Sequence, residues 1–143
     1  MITKDKVFII TGASAGIGSE LAYQLAEKGA HVVCAARTMT KLETVCKNIE
    51  DKNGSAIPIQ ADVTNKDQCE KVIFQTIKTF NRVDGLILNA GISMWAKFDE
   101  IKDISFFKTI MNTNYLGSVY CVHAALPFLK KTRGKIISCS TGQ

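Results

Sequence analysis

The sequence predicts an α/β fold built on a doubly wound, mostly parallel sheet, and three observations carry that expectation. Short runs at residues 7–10, 32–36 and 85–88 are continuously apolar, as parallel strands covered on both faces are. Stretches with apolar side chains at helical spacing separate these runs, so strands and helices alternate, and right-handed crossovers then restrict the topology. The composition, 46% hydrophobic and 22% charged over 143 residues, is that of one globular domain with a core, and it excludes collagen-like and disordered classes.

Val7-Phe8-Ile9-Ile10 is the first strand. A loop rich in Gly, Ala and Ser follows from Thr11 to Gly18, and then Ile17, Leu21, Ala22, Leu25 and Ala26 repeat at helical spacing until Gly29 ends the helix. The second strand is Val32 to Ala36. A helix through Leu42, Val45, Cys46 and Ile49 stops before the Asn53-Gly54 turn. Ala56 to Gln60 is the third strand, and Pro58, which has no N–H to donate, assigns it to a sheet edge.

The third helix, capped by Thr64 or Asn65, carries Cys69, Val72, Ile73, Ile77 and Phe80 on one stripe. Gly85 to Leu88 is the fourth strand and runs into Asn89-Ala90-Gly91. A long helical stretch covers Phe106 to about Lys131, interrupted near Asn112 to Asn114. The stripe Phe106, Phe107, Ile110 and Met111 reads as core or subunit interface. Lys135 to Ser138 is the fifth strand.

Several function classes recede on composition alone. The net charge of +5 is spread along the chain, and its one dense cluster, Lys130 to Lys135, reads as a helix end followed by a glycine turn. No aromatic side chain is interleaved with that cluster, so no nucleic-acid partner is expected. No apolar run is long enough to span a membrane. The opening Met1 to Lys6 leads straight into a strand, so no secretory signal is expected. Cys34, Cys46, Cys69, Cys121 and Cys139 form an odd set without Cys-x-x-Cys spacing, which suits free thiols in the cytoplasm. His31 and His123 have no ligand-spaced partners, so no metal site is expected.

The chemistry is concentrated in Thr11-Gly12-Ala13-Ser14-Ala15-Gly16-Ile17-Gly18, placed between a strand and a helix. Gly12 permits a tight turn, Gly16 close approach of the backbone to a pyrophosphate, and Gly18 close packing of helix on strand. Free N–H groups at the start of the helix, around Ser14, Ala15 and Ile17, favour an anion there. No Gly-Lys-Ser/Thr follows, so the loop is not a P-loop.

With its G-x-x-x-G-x-G spacing, this segment resembles the opening of the short-chain dehydrogenase/reductase family. Asp62-Val63, Asn89-Ala90-Gly91, Asn114 three residues before Gly117, and the Ile136 to Ser140 strand end match the family in order. The resemblance runs from about residue 5 to the last residue. It implies a Rossmann-type sheet in strand order 3-2-1-4-5, so residues 1–143 would be a dinucleotide-binding domain. It also implies that Asp62 contacts the adenine ring with Val63 beside it, and that Asn89, Ala90 and Gly91 line the cofactor. Asn114 would sit in a distorted helix whose free carbonyl holds a relay water. Ser140 rather than Ser138 would hold the substrate carbonyl. Leu88 and Cys139 stand where many relatives carry Asn and Ser. Met94 and Trp95 fall where relatives build part of the substrate wall, and plain packing is an equal alternative.

Cofactor choice turns on the end of the second strand. A carboxylate there would bind a ribose 2′-hydroxyl and repel a 2′-phosphate, but this chain has Ala36-Arg37-Thr38. A guanidinium gives a 2′-phosphate a charge-assisted partner, so NADP(H) is favoured over NAD(H), although Ala15 occupies a position where NADP-preferring relatives often carry Lys or Arg. Arg37 in place of an acidic residue also argues against a methyltransferase.

The family's proton donor is a tyrosine in a Tyr-x-x-x-Lys pair beyond the serine. No such pair occurs in this chain, because Tyr23, Tyr115 and Tyr120 precede Glu27, Val119 and Ala124 at that spacing. Two expectations follow. The chain is the N-terminal, cofactor-binding part of a ketone- or alcohol-converting oxidoreductase, cut after the fifth strand; or it is a dinucleotide-binding or interaction module without turnover. The stop just after a catalytic strand favours the first. Asn114 to Tyr120 looks similar to a stretch of 3-ketosphinganine reductases, and the overall pattern to hydroxysteroid dehydrogenases, so a bulky apolar carbonyl or alcohol substrate is expected. A homo-oligomer is the expected assembly.

Overall fold

The computed structural model describes residues 2–140 and contains one five-stranded parallel sheet. Its strands are β1 (Val7–Thr11), β2 (His31–Ala36), β3 (Ser55–Gln60), β4 (Gly85–Leu88) and β5 (Lys135–Ser138). Their order across the sheet is β3-β2-β1-β4-β5, as expected, and Pro58 lies on the edge strand. The helices are α1 (Gly16–Glu27), α2 (Met39–Glu50), α3 (Lys66–Phe80), α4 (Ser105–Ile110) and α5 (Gly117–Thr132). The interruption expected near Asn112 is a π-helical turn, Met111–Leu116, joining α4 to α5.

Alternation along each strand sorts the core into two layers. Val7, Ile9, Val33, Ile59 and Leu86 pack with α3 and α5 through Cys69, Val72, Ile73, Cys121, Ala125 and Leu129. Phe8, Ile10, Val32, Ala56 and Ile87 pack with α1 and α2 through Ala22, Ala26, Leu42, Val45, Cys46 and Ile49. Contact with Cys46, and then burial, pushes the Cys34 thiol far up; contact with Cys69 and burial do the same to Cys121. Four of the cysteines are therefore core side chains, and Cys139 is half-buried.

One expectation changes and one is narrowed, the stripe on α4 losing its core reading and keeping the interface one. The buried face of α1 is Gly18, Ala22 and Ala26, while Ile17 is 66% exposed. The helix turns its smallest side chains to the sheet so that it can lie close, and Ile17, about 100° further round, points away. The stripe Phe106, Phe107, Ile110 and Met111 contributes nothing to the buried core. Asn65, not Thr64, caps α3, its side chain accepting from the Gln68 N–H.

Candidate functional site

At the C-terminal end of β1 the chain turns through Gly12, whose φ of 66° is left-handed. The Thr11 hydroxyl fastens this turn to the end of β4. It accepts from the N–H groups of Asn89 and Ala90, both at 3.1 Å, and donates to the Ile87 carbonyl at 3.4 Å. The Asn89 amide donates to the Gly12 carbonyl at 3.1 Å. Gly18 then brings α1 against this turn, since a Cβ there would overlap the Gly12 carbonyl oxygen and reach within 2.6 Å of the Asn89 amide nitrogen. A Cβ on Gly16, whose φ is 57°, would meet nothing within 4 Å. The start of α1 faces that free space with no capping side chain on Ala15 and no acidic residue in its first turn. Its N–H groups are therefore available to an anion.

This turn forms one wall of a cleft of about 570 Å³. Gly12, Ser14 and Ala15 line it from the first turn, Arg37, Thr38 and Lys41 from the end of β2, and Asp62, Val63 and Thr64 from the loop after β3. Asn89, Ala90 and Gly91 close it after β4. The cleft lies where the strand order reverses between β1 and β4, which is where open α/β sheets place their ligands. Arg37 is held by its main chain, the Gln60 amide donating to its carbonyl at 2.9 Å, and among the described residues neither Arg37 nor Lys41 forms an ion pair. Two free cations thus stand together beside an uncapped start of α2, which also has no acidic residue in its first turn.

A second cavity, about 460 Å³, shares Asn89 to Ile92 with the first and continues past Ile17, Asn114 and Ser118 to Ser138, Cys139 and Ser140. Asn114 lies in the π turn, and its amide grips the main chain of Ile92 twice. Its Oδ1 accepts from the Ile92 N–H at 2.9 Å and its Nδ2 donates to the Ile92 carbonyl at 2.8 Å. The Asn114 carbonyl accepts from the Ser118 hydroxyl at 3.1 Å. Asn114→Ala therefore loses both Ile92 bonds and is expected to lower stability by about 2 kcal/mol, near 1 kcal/mol for each bond. Urea unfolding of the variant checks this, and an unchanged midpoint would contradict the clamp.

The sequence-expected residues thus divide. Gly12, Ser14, Ala15, Arg37, Asp62, Val63, Asn89, Ala90 and Gly91 come together in the first cleft, and Ile17, Asn114 and Ser140 line the second. Gly16 and Gly18 line neither and shape the turn between them. Trp95 is 83% exposed and lines neither cavity. Lys41 escaped the sequence reading; the available signal was a lysine in the first helical turn after Arg37. Among the described residues no three His, Cys, Asp or Glu side chains cluster as metal ligands.

The profile of the short chain dehydrogenase family matches residues 6–143. The chain is 40% identical over 137 residues to 11-beta-hydroxysteroid dehydrogenase 1A of Arabidopsis thaliana, covering 95% of this chain and 39% of that protein. It is 43% identical over 137 residues to 11-beta-hydroxysteroid dehydrogenase A of Arachis hypogaea, again covering 95% and 39%. A short-chain type dehydrogenase/reductase from Mycobacterium marinum superposes with a TM-score of 0.88 at 33% identity, over 96% of this chain and 57% of that one. An alcohol dehydrogenase from the archaeon Thermococcus sibiricus, complexed with 5-hydroxy-NADP, gives a TM-score of 0.88 at 28% identity, over 93% and 57%. The chain thus spans 39% of the length of these two curated relatives and 57% of these two solved structures. No helix among the described residues is long and apolar enough to cross a membrane.

Proposed function

The chain belongs to the short chain dehydrogenase family, and from that premise we propose that the protein is an NADP(H)-dependent oxidoreductase interconverting a ketone and a secondary alcohol. The observation that carries the proposal is the cleft at the β1/β4 switch point. Gly12, Ser14 and Ala15 wall it, the following Gly16 leaves free space where a Cβ would stand, and the start of α1 there is uncapped. That arrangement fits a pyrophosphate, which needs N–H donors and no Cβ in its way. The nicotinamide of a bound cofactor would supply or accept the hydride.

The chain's own residues would divide the remaining work. Arg37 and Lys41 would hold the 2′-phosphate of the adenosine ribose, with Asp62 and Val63 at the adenine. Asn114 would position the Ile92 segment, and Ser140, at the far end of the second cavity, would hold the substrate oxygen. The relatives named as hydroxysteroid dehydrogenases favour a bulky apolar substrate. By itself this chain, which has no Tyr-x-x-x-Lys, would bind cofactor without turning substrate over. A cytoplasmic location and a homo-oligomer formed through the exposed Phe107, Met111, Tyr115 and Val119 face complete the reading.

Titration of the chain with NADPH and NADH tests it. NADPH is expected to bind more tightly, and Arg37→Gln to weaken NADPH about tenfold to a hundredfold, the value of a charge-assisted bond of about 1.5–3 kcal/mol, while sparing NADH. Tighter binding of NADH by the unaltered chain would overturn the cofactor assignment.

A further inference from the structure

The loop after β3 is closed by its own hydrogen bonds, and Gln68 makes one that reaches back six residues, past the helix cap. The Asn65 N–H donates to the Asp62 carbonyl at 3.0 Å, and the Gln68 N–H donates to Asn65 Oδ1 at 3.1 Å. The Gln68 side chain then turns back across the loop, its Oε1 accepting from the Asp62 N–H at 2.7 Å. A helix in which the third residue's side chain reached only to the cap would be ordinary. Here it passes the cap, Asn65, and fixes a residue that lines the cleft.

The carboxylate of that residue is fixed as well. Asp62 Oδ1 accepts from the Thr64 N–H at 2.9 Å and from the Thr64 hydroxyl at 2.7 Å, which fills both of its lone pairs. Among the described residues no donor reaches Oδ2, which leaves it as the acceptor available to a ligand in the cleft that Asp62 lines. Gln68 itself is half-buried and also lines a shallow cavity beside the cleft with Arg37, Gln60, Asp62 and Lys71. The donor that suits a lone carboxylate oxygen here is an exocyclic amine on a purine edge. A carbonyl at the same place would be repelled.

We infer that Gln68 is a positioning residue for purine recognition: its side-chain oxygen holds the Asp62 main chain so that the free carboxylate oxygen selects a 6-amino over a 6-oxo purine. The inference rests on the dinucleotide reading above and adds a residue and a selectivity to it. Gln68 touches no part of the ligand and acts only through Asp62.

The test is titration of the chain with NADPH and with its 6-oxo (hypoxanthine) analogue. The unaltered chain is expected to bind NADPH about tenfold more tightly than the analogue, the worth of one bond to a charged group. Gln68→Met keeps the length of the side chain and removes the acceptor, so the ratio is expected to fall toward one. Gln68→Glu keeps an acceptor and is expected to keep the ratio. Gln68→Ala, which suits a helix, replaces Gln68→Met should that variant not fold. A merely structural role would weaken both cofactors together, so an unchanged ratio in a folded Gln68→Met variant overturns the inference. A ratio near one in the unaltered chain, with NADPH still bound, also overturns it and leaves the dinucleotide reading standing. Failure to bind NADPH at all overturns both.

Discussion

Gly18→Ala destabilises the chain by about 3 kcal/mol, the upper part of the range for overpacking, and abolishes dinucleotide binding. The expectation is steric. Gly18 has no left-handed φ, so alanine brings no backbone strain, and in a helix interior it would by itself contribute about 0.5–1 kcal/mol of stability relative to glycine. Against that stand three fixed neighbours. The new Cβ would overlap the Gly12 carbonyl oxygen, lie 2.9 Å from the Gly12 carbonyl carbon and 2.6 Å from the Asn89 amide nitrogen. Two of these are main chain, and the third is bonded to the Gly12 carbonyl. Relief requires α1 to move off β1, which opens the turn where the anion would lie. Urea unfolding and NADPH titration read the two effects together. An unaltered unfolding midpoint would mean that α1 does not approach the turn as described.

Asp84→Ala is expected to cost about 3 kcal/mol, the low end for breaking a buried ion pair, because the Arg82 side chain is 40% exposed. Asp84 is only 8% exposed and lies at the other end of the sheet from the cleft. Its Oδ2 accepts from the Val7 N–H at 2.9 Å and from Arg82 Nε at 2.7 Å; its Oδ1 accepts from a second Arg82 nitrogen at 2.6 Å, with Lys6 Nζ at 3.8 Å. Its main chain donates to the Val7 carbonyl and accepts from the Lys135 N–H, so one residue ties together the starts of β1, β4 and β5. Burial alone would push this carboxyl up. The Arg82 guanidinium, the Val7 N–H and Lys6 outweigh burial and hold it below the usual carboxylate range.

A depressed folded-state value fixes the sign of the pH dependence. The stabilisation from Asp84 is complete above the unfolded-state value of about 3.9 and fades as the pH falls through the lower, folded-state one. Asp84→Asn, lacking that contribution, should therefore show a flatter loss of stability below about pH 4 than the unaltered chain. Urea midpoints measured from neutral pH downward decide this, and parallel curves for the two proteins would contradict it.

The sheet was legible because its signal is written in consecutive residues. Continuous apolar runs mark strands covered on both faces, and Pro58 could occupy only an edge. The glycine turn was legible for the same reason, since its context is local. The rotation of α1 was not, because Gly18, Ala22 and Ala26 carry little hydrophobic weight beside Ile17, Leu21 and Leu25, and only the closeness of β1 reveals that small side chains face inward. Lys41 and Gln68 were missed because each acts on a residue brought near by a turn or a crossover. Asp84 looked like any other acidic residue; its burial against Val7, 77 positions away, exists only in three dimensions. The stripe Phe106, Phe107, Ile110 and Met111 stayed divided between core and interface in the sequence, because apolar spacing does not tell a face that meets the sheet from one that does not; the structure removes the core reading.

Gly117, at the joint between the π turn and α5, lies so close to the loop after β3 that a Cβ there would come within 2.9 Å of Val63 Cγ2. Val63 and Thr113 of the π turn line the first cavity, and Asn114 of the same turn lines the second. The start of α5 thus packs on Val63 with no room for a side chain at Gly117. A ligand that moved the π turn in one cavity would move part of the wall of the other. Thermodynamic linkage makes any such influence mutual: whatever factor occupancy of one cavity imposes on affinity at the other is returned in equal measure.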